Sequence, residues 1–231
     1  MKYRFVVIFI ALLSIQSLNA QEKGRPNIPG DFIVEHGFNI LLNTSDPLNT
    51  RFFGSRGWNL SYLHHIDLGD RFSFNGGVGF AFNRYRLEDD TRLWYLNNDD
   101  GIADPGVYID TVSTYNRSKF GVNYLDIPLE LRFYFNPDDK NKGLRLTAGV
   151  KVGLRLGGVS KVRYDQSDET KNLILRESFN FTQFRYGAYG RIGFQGIALF
   201  YYHSLTELFE DTPVGSENAS PIMAGISFFL F

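Results

Sequence analysis

Leu144-Arg145-Leu146-Thr147-Ala148-Gly149-Val150-Lys151-Val152-Gly153-Leu154-Arg155-Leu156 alternates without a break between an apolar residue and a polar or small one. Successive side chains of a strand point to opposite faces, so the pattern predicts a β-strand with one greasy and one polar face. The segment is longer than the roughly 9–11 residues that a tilted strand needs to cross a bilayer. Its polar face carries Arg145, Thr147, Gly149, Lys151, Gly153 and Arg155. Small residues beside charges suit the crowded inside of a narrow barrel, and a continuous apolar face suits lipid. A soluble barrel or sandwich would turn these faces the other way.

The same period recurs on both sides. Before it, residues 32–41, 57–66, 71–83 and 120–135 alternate; after it, 181–194 does so, and 197–206 and 221–231 read as two last strands with weak alternation. Pattern alone does not assign the faces of those two. Asp67-Leu68-Gly69-Asp70, Asn136-Pro137-Asp138-Asp139 and Gln195-Gly196 are turn sequences. The strand count is even. Short turns near 67–70, 136–143 and 195–196 alternate with long connections near 42–56, 84–119, 157–180 and 207–220. This is the pattern of an outer-membrane barrel, with short periplasmic turns and longer outer loops. The expected fold is therefore all-β, an eight-stranded antiparallel transmembrane β-barrel over residues 32–231. Hydrocarbon forces closure of such a sheet, because an open edge leaves unpaired backbone groups at several kcal/mol each.

Composition agrees. The 231 residues include 22 Phe, 13 Tyr and 23 Gly, a make-up that favours strands over helices. The formal net charge of −1 gives no support to a nucleic-acid partner. There is no cysteine, so neither a disulfide nor a lipid-modified cysteine anchor is expected. Residues 1–20 read as a signal peptide: Lys2 and Arg4 precede an apolar run from Phe5 to Leu13, and Ala20 precedes Gln21. That run is too short for a spanning helix, which needs about 20 residues. Residues 21–31 then form a periplasmic N-terminal segment. At the other end Ile222 to Phe231 is an apolar strand closing on an aromatic residue, and Phe229 and Phe231 are expected to carry an assembly signal.

The inward faces gather Glu35, Asp126, Glu130, Arg132, Lys151, Arg155, Arg185 and Arg191. An eight-stranded barrel has an interior just wide enough for side chains. The expectation is an ion-paired, filled lumen and not a diffusion pore. No catalytic constellation stands out. His36, His64, His65 and His203 lack metal-ligand spacing on one strand face. His203 and Ser204 are adjacent and so face apart, which keeps them from acting as a hydrolase pair. Asp99, Asp100 and Asp104 do not follow the spacing of an EF-hand calcium loop. Enzymatic activity, cofactors and bound metals are not expected. Long loops on a rigid scaffold often carry recognition, so a protein partner is expected at loops 87–119 and 159–180. Within the first, Leu93-Trp94-Tyr95 and Val107 to Ile109 are suited to a short hairpin.

Tyr124-Leu125-Asp126-Ile127-Pro128-Leu129-Glu130-Leu131-Arg132-Phe133-Tyr134-Phe135 resembles the Tyr-Leu-Glu-Ile-Pro-Leu strand of the PorT-like outer-membrane β-barrel family. Pro128 removes a ladder donor and is awkward within a strand, yet it is usual in that family. Asp126 stands where Glu is more common and keeps the charge. The resemblance implies a cell outer membrane location in a Gram-negative envelope, outer-membrane lipid around the barrel, and insertion by the barrel-assembly machinery. It implies no agreed activity. Three function classes follow: a structural or interaction protein, an accessory subunit of a secretion or surface assembly, and a lipid-modifying enzyme on the barrel wall.

Overall fold

The computed structural model describes residues 30–46, 48–88, 91–97, 103–109, 115–140, 142–166, 169–210 and 218–230. The proposed signal peptide, nearly all of the segment after it, and Phe231 lie outside the described residues. Eleven strands run in chain order: β1 (Asp31–Leu42), β2 (Arg56–Asp67), β3 (Phe72–Arg86), β4 (Thr91–Asn97), β5 (Ala103–Ile109), β6 (Tyr115–Tyr134), β7 (Leu144–Gln166), β8 (Glu169–Leu175), β9 (Phe184–Phe194), β10 (Ile197–Ser204) and β11 (Ser220–Phe229). Eight of them close into an antiparallel barrel in the order β6-β3-β2-β1-β11-β10-β9-β7, with β6 pairing back onto β7. The first and last strands meet in register from Ile33 opposite Phe229 to Leu42 opposite Ser220. Closure leaves no edge to be satisfied by water.

The outer wall is apolar. Leu199 is 67% exposed and Phe184 66%, and Phe80, Ile127, Val150 and Phe228 point the same way. Burial of such side chains away from water is strongly favoured, so a wall of this kind needs hydrocarbon around it. Along β3 the outward residues run from Phe72 to Phe82 before the first charge, Arg84. Ten residue steps at about 3.3 Å, tilted by about 40°, span about 25 Å, the height of the apolar band of outer-membrane barrels.

The turns follow from local chemistry. Gln195 and Gly196 both have positive φ, 47° and 88°, in a two-residue link between Phe194 and Ile197. That geometry matches the right-handed twist of the flanking strands, and glycine adopts it without penalty. Pro128 faces the lumen. The β3–β6 ladder lapses between Gly76 opposite Leu129 and Gly79 opposite Asp126, where the proline has no N–H to donate. On its other side Pro128 pairs normally with Lys151. Gly77, beside the gap, packs so close to β2 that an added Cβ would lie 1.9 Å from the Tyr62 carbonyl oxygen.

Two long connections contain more strand than their polar sequences predict. β6 begins at Tyr115 and β7 runs on to Gln166, so the barrel wall rises well past the apolar band. β8 pairs with the top of β7 from Ser160 opposite Leu175 to Gln166 opposite Glu169. β4 and β5 form a separate hairpin in which Leu93 stands opposite Val107. Among the described residues no helix is long and apolar enough to span a membrane.

Candidate functional site

The lumen has two tiers. The lower, toward the short-turn end, is ionic. Glu35 on β1 accepts from Asn59 Nδ2 (2.8 Å), Arg191 Nε (2.8 Å) and Ser227 Oγ (3.1 Å). Arg191 on β9 also binds Glu130 on β6, which accepts from Tyr189 Oη at 2.7 Å. Arg132 joins Glu130 to Asp31. Asp126 takes Arg185 in a forked contact, with Nη2 2.9 and 2.8 Å from its two oxygens. Lys151 stands 3.9 Å from both Glu35 and Asp126 and links the two groups. All these charges except Asp31 are nearly sealed from solvent, none more than 6% exposed. Buried charge is tolerated only when paired and hydrogen-bonded, and forked guanidinium–carboxylate contacts do both.

Seven of the eight charges that the sequence places inside thus meet in one network. Arg155 does not join it. It sits nearer the long-loop end and donates to the carbonyls of Ser178 (3.3 Å) and Phe181 and to Gln183 Oε1 (2.8 Å). A bulge between β6 and β7 next to Asn123 and Tyr124 places Arg155 opposite Tyr124, above the carboxylates. Phe229 is also lumenal: the guanidinium of Arg145 lies 3.5 Å from its ring centre and that of Arg132 5.3 Å. The last two strands, whose faces the alternation leaves open, turn Phe200, Tyr202 and Met223 inward. His203 faces out beside Tyr201, while Ser204 faces in and bonds Thr206, so the two never meet.

The upper tier is aromatic, and the sequence pattern does not reveal it. Tyr85 stacks on Phe120 at 5.1 Å, Phe120 on Phe181 at 5.9 Å, and Phe181 packs on Phe209 at 5.2 Å. Phe181 and Phe209 come from the connections that follow β8 and β10, and both are fully buried with Phe179 and Leu208. Phe179 and Asn180 both have positive φ, 48° and 46°, and the Phe181 N–H returns to the Ser178 carbonyl at 3.1 Å. This tight turn aims two phenylalanines into the barrel mouth. A bulky residue at positive φ is uncommon and persists only where packing holds it. The tiers touch where the Arg185 guanidinium lies 3.9 Å above the Tyr124 ring.

A third cluster lies outside. Arg56, Arg84, Arg86, Arg117, Lys119, Lys161 and Arg163 all project outward from β2, β3, β6 and β7. Cross-strand register sets them side by side: Arg56 opposite Arg84, Arg86 opposite Lys119, Lys119 opposite Lys161, Arg117 opposite Arg163. They begin one side-chain step beyond Trp58 and Phe82, past the apolar band. Burial first, then Arg117, Arg86, Arg56 and Lys161, hold the Lys119 ammonium below the usual lysine range. Among the described residues none of the seven forms an ion pair.

Residues 19–210 match the family described as outer membrane protein beta-barrel domain, and the chain belongs to that family. It is an outer-membrane protein. No curated protein sequence matches it. Solved structures similar to it include Ail, the attachment invasion locus protein of Yersinia pestis, at 12% identity over 87% of this chain and 97% of that one, with a TM-score of 0.37. Ail in complex with the heparin analogue sucrose octasulfate is similar at 11% identity over 88% and 100%, TM-score 0.34. A triple mutant of the Rhodopseudomonas blastica porin follows at 8% identity over 87% and 99%, TM-score 0.21.

Proposed function

We propose that this member of the outer membrane protein beta-barrel domain family is a closed, non-enzymatic barrel that acts through its surfaces as a structural or interaction protein. The observation that carries this is the double seal. A paired ionic network occupies the lower lumen and buried aromatic side chains occupy the mouth, so the described side chains stand where a solute would have to pass. The short turns face the periplasm and the long connections face outward. The extended tops of β6 and β7, with β8 and the β4–β5 hairpin, then stand on the outer side as a surface for a partner.

The same outward surface of β6, β7 and β8 also suits a second reading, an accessory role in a secretion or surface assembly. Both readings place the working surface at the same end. A lipid-modifying enzyme has less support, because His203 and Ser204 point to opposite sides of the wall. The test is to delete residues 90–112, retain the barrel, and compare partners captured by the detergent-extracted full chain and by the deletion. Loss of a specific partner is the expected result, and an unchanged set would contradict it. Protease nicking of intact cells within 87–119 checks the orientation; cutting only after lysis would reverse it.

A further inference from the structure

We propose that the outward cation ladder of Arg56, Arg84, Arg86, Arg117, Lys119, Lys161 and Arg163 binds the phosphorylated headgroup of a glycolipid in the outer leaflet. The inference rests on the orientation given above, with the long connections outside.

Like charges set directly opposite on neighbouring strands repel and destabilise a sheet. Here four successive strands bring such charges together, and among the described residues no carboxylate forms an ion pair with them. Glu177 and Arg176 border the adjoining cleft, yet Glu177 makes no ion pair with any of the seven. Burial, and only after it these neighbouring cations, holds the Lys119 ammonium below the usual lysine range. An arrangement of this kind is satisfied by an anion from outside the chain. Among the described residues, the other four barrel strands, β1, β9, β10 and β11, carry no outward Lys or Arg, so the wall cations gather on one side of the barrel.

Position selects the anion. The cations occupy the same outward face as the lipid-contacting side chains, and begin where the apolar band ends. One cleft of about 640 Å³ is lined by Arg56, Arg86 and Lys119 together with Trp58, Phe82 and Phe53, the last 75% exposed. A smaller one of about 190 Å³ is lined by Arg117, Lys119, Lys161, Arg163 and Asn172. A molecule that fits carries acyl chains against Phe80 and Phe82 and clustered phosphates one step higher. A phosphorylated glycolipid of the outer leaflet has both, and guanidinium groups bind phosphate through paired N–H donors. A soluble anion would gain nothing from the aromatic floor, and a protein partner would not need the cations aligned with the membrane edge.

The experiment uses the full chain in detergent micelles and native mass spectrometry. The probes are bis-phosphorylated lipid A, the same lipid stripped of phosphate, and inorganic pyrophosphate. The wild type is expected to retain bis-phosphorylated lipid A at least about tenfold better than the stripped form, and R86Q/K119Q/K161Q is expected to lose roughly a hundredfold. A second variant, K140Q/K142Q at the short-turn end, is expected to bind as wild type. Heat-modifiable migration on gels confirms that each variant is folded. Should the triple variant fail that check, wild-type retention falling steeply with added salt supports the proposal and salt-independent retention overturns it. Equal retention of the two lipids, equal binding by wild type and a folded triple variant, or pyrophosphate binding as tightly as the lipid would each overturn it. The interaction reading fails separately, through partner capture, and partner capture unchanged by the triple variant does not bear on lipid retention.

Discussion

The lumen and the upper outer wall hold similar numbers of charged side chains and treat them in opposite ways. Inside, Glu35, Asp126 and Glu130 each meet at least one guanidinium, and Lys151 bridges two of the groups. Outside, seven cations from four strands stand together and form no ion pair among the described residues. Charges that cannot reach water are best paired within the chain, and Arg145, which lies over the Phe229 ring and forms no ion pair among the described residues, is the exception inside; charges at the membrane edge can await a partner. The difference separates what holds this barrel together from what it offers to its surroundings.

That contrast breaks most visibly at Arg191. Removing it leaves both Glu35 and Glu130 short of their shared cation, so Arg191→Met should cost about 3–5 kcal/mol, read from urea unfolding in lipid vesicles. A cost below about 1 kcal/mol would show that the network is not structural. Next in size is Phe181→Ala, which empties the centre of the plug. A loss of about 3 kcal/mol is expected, with faster amide exchange over 178–183; unchanged exchange there would mean that the turn is held by something else. Lys151→Met should change stability by less than about 1.5 kcal/mol, because Glu35 and Asp126 keep their arginines and an apolar replacement removes a buried charge. The smallest effect belongs outside. R86Q/K119Q/K161Q should leave the unfolding free energy within about 0.5 kcal/mol of wild type, or raise it slightly as repulsion is relieved. A large loss would place the wall cations in the fold's own stability.

Much of this was legible from residue order. The unbroken alternation of 144–156 gives a membrane strand, and repetition of that pattern with short and long connections gives the closed barrel. The lumenal charges follow from parity alone, apart from Arg155, which a bulge lifts out of the network. What stayed hidden has physical reasons. The plug comes from Phe179, Phe181 and Phe209 in irregular connections, where period two gives no face. The wall cations are spread over about a hundred residues of chain. Yet Arg84 and Arg86, Arg117 and Lys119, and Lys161 and Arg163 are each two apart, the spacing of neighbours on one strand face. Assigning 84–119 and 157–180 to loops hides that signal, since a loop has no parity.

This barrel's interior is occupied by its own side chains. Single-channel recording of the full chain in planar bilayers tests it most directly. The two tiers predict a flat baseline with at most brief, irregular events at physiological salt. Steady, long-lived open steps of uniform size would contradict the sealed lumen and return the protein to the class of pores.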